Sequence, residues 1–141
     1  MSVINAYLSF NGKCREAMSY YKDCLGGELT FQPVEGTPME ANCPGAMKQH
    51  ILHSMLQKDS MVLMATDMVG PEGFIKGTNM SLSVSCSSEE ELKNYFTTLS
   101  KEGKILDPLS ERFWGSVFGC LVDKYGVMWM FDYHKNGNSS Q

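Results

Sequence analysis

The sequence predicts an α+β fold laid down twice, as two successive βαβββ modules. Three observations carry this reading. Apolar residues alternate with a period of two in several short runs and recur at helical spacing in two longer ones. The order strand, helix, three strands occurs once before residue 67 and again after residue 78. Lys58–Met64 (KDSMVLM) also aligns without gaps on Lys124–Met130 (KYGVMWM), so that Met64 meets Met130. Each module alone leaves one sheet face bare, so two must join to close a cavity.

The elements follow in order. Val3 to Phe10 alternates as a strand, with Asn5, Tyr7 and Ser9 on one face, and Asn11-Gly12 ends it. Cys14, Ala17, Met18, Tyr21 and Leu25 share one face of a helix that Gly26-Gly27 stops. Glu28 to Val34 is rich in strand formers, and Pro33 places its end on an edge or at a bulge. Residues 35–47 carry the breakers of a surface loop. His50 to Gln57 and Met61 to Thr66 form a hairpin about Lys58-Asp59-Ser60. A connector follows, in which Phe74 and Ile75 are expected to pack. The pattern then restarts with a strand over Asn79 to Ser85. Ser87 and Ser88, each three residues before a glutamate, start a helix that carries Leu92, Tyr95, Phe96 and Leu99 on one face. Lys104 to Leu106 begins a strand, Ser110 to Gly115 turns, and Ser116–Val122 with Val127–Tyr133 makes the second hairpin. The expected organisation is one domain over 1–141: a first module 1–67, a connector 68–77, a second module 78–133 and a polar tail 134–141.

Composition narrows the function. A formal charge of −4 gives no basic field for nucleic acid, and no apolar run approaches the roughly 20 residues of a membrane span. Cys14, Cys24, Cys43, Cys86 and Cys120 are odd in number and lack CxxC spacing, which points to reduced thiols in the cytoplasm. The start shows no basic segment ahead of an apolar one, so no signal peptide is expected. Eleven methionines suit a core, and equally a pocket for an apolar ligand.

Several stretches, in order along almost the whole chain, resemble the PhnB-like branch of the vicinal oxygen chelate superfamily. They are Ala6–Gly12 (AYLSFNG) before Glu16-Ala17 and Tyr20-Tyr21, His53 fourteen residues before Asp67, Phe113-Trp114-Gly115, and Asp123–Val127 (DKYGV) before Trp129. The superfamily includes glyoxalase I, extradiol dioxygenases and bleomycin-binding proteins. The resemblance implies a curved mixed sheet around a cavity, and paired chains, hence a homodimer. It also implies one divalent metal held by His or Glu from the first and last strand of each module. Carried over by register, those positions are Asn5 (or Ala6), Met64, Asn79 and Met130. Amides and thioethers make a poor site for a hard or borderline dication, so no metal and no other cofactor is expected. Relatives bear the label 3-demethylubiquinone-9 3-methyltransferase, but the chain has no glycine-rich strand-to-helix loop of a nucleotide fold, which argues against methyl transfer.

Without a metal, the expected activity is binding of a small molecule. Asn5, Tyr7, His53, Met64, Asp67, Asn79, Trp114 and Met130 are the candidate contacts. Tyr7 shares a face with Asn5, Trp114 beside Gly115 suits an aromatic wall, and Met64 and Met130 are repeat equivalents expected to line one cavity. His53 can hold a ligand or move a proton, although a lone strand histidine is more often structural. Asp67 can receive a proton, although its place before Met68-Val69-Gly70 suits an Asx-turn better. The alternative is an enzyme of the superfamily (lyase, oxygenase or transferase) working through His53 with Asp67. His50 and Asp132 are expected at the surface, and Cys120 has no base assigned near it.

Overall fold

The computed structural model describes residues 1–42 and 45–135, so Cys43 and the tail beyond Lys135 lie outside the description. The chain divides into two compact units, Met1–Ile75 and Lys76–Gln141, with the boundary inside the expected connector. The element order is β1 (Ala6–Ser9), α1 (Cys14–Leu25), β2 (Glu28–Pro33), β3 (Ile51–Lys58) and β4 (Met61–Thr66), then β5 (Leu82–Ser85), α2 (Glu89–Leu99), β6 (Lys104–Glu111), β7 (Ser116–Val122) and β8 (Met128–His134). Each unit is therefore βαβββ, as the repeat predicts. Among the described residues no helix is long and apolar enough to cross a membrane.

The first unit is a four-stranded sheet in the order β1-β4-β3-β2, with β1 parallel to β4 and the rest antiparallel. Helix α1 covers one face. Its stripe of Cys14, Ala17, Met18, Tyr21 and Leu25 is buried against β2, β3 and β4. The strand positions beneath it are buried as well, notably Leu56, Leu63 and Ala65. Burying a side chain the size of Met18 contributes about 1.5–3 kcal/mol, so this stripe fixes which sheet face is core. The alternate residues, Tyr7, Met55 and Met64 among them, occupy the other, open face. Strand β2 is an edge, and its register shifts between Gln32 and Pro33, so Pro33 sits both on the edge and at a bulge.

The second unit repeats the plan in the order β5-β8-β7-β6. Leu92, Tyr95, Phe96 and Leu99 of α2 are buried, and α2 packs on β7 and β8. Ser88 caps α2 by accepting from Glu91 N at 3.1 Å, while the Glu91 carboxylate takes Ser87 N at 2.9 Å. The register makes the repeat quantitative. Ala6 faces Leu63 as Leu82 faces Trp129, and Met55 faces Met64 as Cys120 faces Met130. Gly27 and Gly103 also correspond: each follows its helix and lies against the last residues of the strand β3 or β7.

Some boundaries differ from expectation. β1 begins at Ala6 and β5 at Leu82, so Asn5 and Asn79 fall outside the strands. β6 runs on to Glu111, because register shifts around Leu106 and Pro108 absorb the proline within an edge strand. The loop after β2 holds two short 3-10 helices, Pro38–Asn42 and Gly45–Met47. Ile75 does not pack; it is exposed, while Phe74 is half-buried.

Candidate functional site

On the open face of the first sheet, register sets a row of side chains. Tyr7 on β1 faces Met64 on β4, which faces Met55 on β3, which faces Thr30 on β2. His53 lies two residues before Met55, hence on the same face, opposite Gln32. Strand β4 separates the strands of Tyr7 and His53, which run roughly 9.5 Å apart, and His53 lies two residues along the sheet from the position level with Tyr7. The two side chains close that gap above β4. Tyr7 Oη lies 3.0 Å from His53 Nδ1, and the rings meet at 5.6 Å between centroids, tilted by 54°. Tyr7 is 52% exposed and His53 half-buried, so the pair is open to solvent, with Met64 and Met55 as neighbours on the same face.

Asp67 belongs to the other side of this sheet. It is 3% exposed, and its oxygens accept three backbone N–H groups: Gly12 at 2.6 Å and Cys14 at 2.8 Å on Oδ1, and Ile51 at 2.8 Å on Oδ2. Helix α1 has no side-chain cap of its own at Lys13. Asp67, just past the end of β4, supplies that cap from a distance and favours the positive end of the helix dipole. His53 and Asp67 are therefore not brought together, and the Asx-turn expected at Asp67 is replaced by a long-range tie between β4, β3 and the β1–α1 turn. Asn5 is exposed ahead of β1.

The matching face of the second sheet has different chemistry. Ser83 faces Met130, which faces Cys120, which faces Asp107. Arg112 pairs with Asp107 at 2.8 Å and stacks over Phe118 with its Cζ 5.1 Å from the ring centroid. Trp114 stands in the β6–β7 turn, 51% exposed, edge-on to Phe113 at 4.9 Å and to Phe118 at 6.4 Å. Asn79 is exposed, off the sheet. Asp132 is not a solvated strand end: it is half-buried and lies 3.3 Å from His134 Nε2. His50 is likewise half-buried rather than exposed, with Nδ1 shut away. Burial pushes the Cys120 thiol up, with Asp107 adding to the effect, so it is not an activated nucleophile.

The chain matches the family described as 3-demethylubiquinone-9 3-methyltransferase over residues 2–131. The chain belongs to that family. Among its relatives, protein YjdN of Escherichia coli K12 is 32% identical over 138 residues, spanning 92% of this chain and 93% of YjdN. The crystal structure of PA1353 from Pseudomonas aeruginosa superposes with a TM-score of 0.84 at 34% identity, covering 95% of this chain and 98% of that one. The PhnB protein of Bacillus cereus gives a TM-score of 0.72 at 30% identity, with 94% and 99% covered. The PhnB protein of Bacillus cereus carries that same family description, which makes this the PhnB-like family, and the fold is that of glyoxalase/bleomycin resistance/dioxygenase proteins.

For a member of this PhnB-like family the superfamily metal is the natural test. Register replaces the expected first-strand positions: the residue facing Met64 is Tyr7, not Asn5, and the residue facing Met130 is Ser83, not Asn79. Phenol, hydroxyl and two thioethers suit a divalent ion no better than the expected set. Among the described residues no three His, Cys, Asp or Glu side chains gather as ligands. The donors present do not fit the metal. Met55 and Gln32 were absent from the expected contacts; alternation along β3 from His53 points to Met55, whereas Gln32 emerges only from the pairing of β2.

Proposed function

We propose that this PhnB-like protein binds a small molecule on the open face of its first sheet, at the Tyr7–His53 pair, without a divalent metal. The observation that carries the proposal is the 3.0 Å hydrogen bond between Tyr7 Oη and His53 Nδ1 on an accessible face that Met64 and Met55 share. A few polar groups among flexible apolar side chains are the usual make-up of a small-molecule site. The superfamily-enzyme alternative through His53 with Asp67 is weakened, since both Asp67 oxygens are engaged by backbone donors. Methyl transfer, named in the family's description, lacks support from any glycine-rich nucleotide loop. We further propose a cytoplasmic homodimer, which the family resemblance implies and in which a second chain covers edge strands of the two four-stranded sheets.

The test is a thermal-shift screen of thiols, phosphonates, quinones and aromatic acids against the wild type and Tyr7→Phe, with element analysis of the purified protein. Stabilisation by a hit that weakens in Tyr7→Phe, with no stoichiometric Zn, Ni, Mn or Fe, is expected. Hits indifferent to Tyr7, or one metal per chain, would overturn the proposal.

A further inference from the structure

We infer that the ligand of the Tyr7–His53 site is a neutral, flat molecule whose carbonyl oxygen accepts a hydrogen bond from His53 Nε2–H, with Tyr7 positioning that donor. The inference rests on the binding proposal above and names its ligand class.

The direction of the Tyr7–His53 bond comes first. A phenol shares its oxygen lone pair with the ring, so it donates well and accepts poorly, whereas the bare nitrogen of a neutral imidazole accepts well. The 3.0 Å bond therefore runs from Tyr7 Oη–H to His53 Nδ1. Occupying Nδ1 in this way fixes the ring proton on Nε2. A second proton would add to Nδ1 and leave Nε2–H as it is, so the free donor of the ring is the same in either charge state. Nε2–H points away from Tyr7, and among the described residues the bond to Tyr7 is the only one that His53 makes. One acceptor atom from outside completes the ring's hydrogen bonding.

The face decides between a charged and an uncharged acceptor. Besides Tyr7 and His53, its strand positions carry thioethers, hydroxyls, glutamines, a valine and one carboxylate, and none is lysine or arginine. The carboxylate is Glu28, which pairs with Gln57, four residues along β3 and so roughly 13 Å from His53. An anion would leave water for a surface that holds no fixed cation, whereas a neutral carbonyl loses far less hydration to reach the same N–H. Thr66 does not compete as a donor, since its hydroxyl is given to Leu52 O at 2.8 Å. Met64 and Met55 supply the rest of the recognition: thioethers adapt their shape and make favourable sulfur contacts with a flat ring.

The experiment is NMR titration of the full chain, observing the ring nitrogens of His53, with three probes of similar shape: acetophenone (a neutral carbonyl), benzoate (an anion) and toluene (no strong acceptor). The free protein is expected to carry its ring proton on Nε2. Acetophenone should bind at least about fivefold more tightly than benzoate or toluene, the size of one neutral hydrogen bond, and should shift Nε2 more than Nδ1. His53→Leu should reduce acetophenone to the affinity of toluene, and His53→Gln, which keeps an N–H donor, should restore part of the difference; His53→Phe replaces the leucine variant if that one does not fold by circular dichroism. Tyr7→Phe should populate both ring tautomers and weaken acetophenone while leaving toluene unchanged, which a merely structural role for Tyr7 would not do. A ring proton found on Nδ1, or benzoate bound more tightly than acetophenone, overturns the inference. Toluene bound as tightly as acetophenone overturns the carbonyl and, where Tyr7→Phe weakens both, leaves the binding proposal standing. If no probe shifts the His53 ring the inference fails; a Tyr7-dependent hit without a carbonyl in the wider screen would then show that the site survives it, and the lack of any such hit that both fail.

Discussion

Replacing Asp67 tests whether this carboxylate is structural. In Asp67→Asn one oxygen remains to accept from Gly12 and Cys14, but the amide turns an N–H₂ toward the Ile51 N–H that Oδ2 now receives at 2.8 Å. One charge-assisted bond is lost, two become neutral, and a buried donor is left without an acceptor. A hydrogen bond to a charged group contributes about 1.5–3 kcal/mol, against about 1 for a neutral one, and an unsatisfied buried group costs about 1–3. Because these terms overlap, the expected loss is about 2–3 kcal/mol for Asn and about 3–5 for Ala, which leaves three donors and a small void. Such losses are a large part of a domain's usual stability of about 5–15 kcal/mol. Urea denaturation followed by circular dichroism measures them, with an unchanged m-value showing that the folded and unfolded states keep their compactness. The second half of the test is functional: folded Asp67→Asn should bind the hits of the ligand screen as the wild type does. A stability loss under about 0.5 kcal/mol would refute the capping account. Full stability with abolished binding would restore Asp67 to the site.

Three further outcomes follow from the same geometry. Burial pushes the Cys14 thiol up to about 11 and, with Glu91 and Asp132 contributing, the Cys86 thiol up to about 12. Near pH 8 about one Cys14 in a thousand is thiolate, so mass spectrometry after brief alkylation should find both residues unmodified until the protein is denatured. The folded state holds these protons above pH 9, where the thiols of the unfolded chain give theirs up. Unfolding therefore releases protons, and stability should fall as pH rises from about 9 toward 11; stability that rose over that window would contradict the burial. Gly27→Ala would put a Cβ 2.7 Å from Gln57 O at a φ of +99°, and Gly103→Ala would drive one into Val122 O. Each should lower stability by more than about 1 kcal/mol in urea melts, whereas Gly36→Ala, with open space around it, bears only the cost of its positive φ. Light scattering at micromolar concentration should give the mass of two chains, and a monomer would refute the dimer.

What is legible in the sequence depends on how local the signal is. Helices α1 and α2 are readable because four or five apolar residues at helical spacing leave a single buried face, and the turn after each ends in glycine. The hairpin strands β4 and β7 match expectation to the residue for a similar reason. The strands β1 and β5 are only four residues long, and polar residues precede both, so alternation by itself extends them too far. That slip moved the positions facing Met64 and Met130 from Tyr7 and Ser83 to Asn5 and Asn79. Asp67 was misplaced because its partners lie up to 55 residues away, and no local turn motif reports a remote helix start. The partnership of Tyr7 with His53 requires the order of three strands, which pairing alone supplies.

The internal repeat also says where chemistry can reside. Positions under the helices correspond in kind across the two units: Leu63 with Trp129, Ala65 with Phe131, Leu56 with Leu121, all apolar and buried. Those residues answer to packing, and packing asks only for volume and apolarity. Positions on the open faces do not correspond. Tyr7 stands where the second unit has Ser83, His53 where it has Phe118, and Thr66 where it has Asp132. If the open faces served only to fill a core, the same apolar answer would suffice for both. Instead one face carries an accessible phenol–imidazole pair, and the other carries Arg112 against Asp107 and His134 against Asp132. The Tyr7–His53 pair is polar, accessible and without an equivalent in the second unit, which makes the open face of the first sheet the place to look for the ligand.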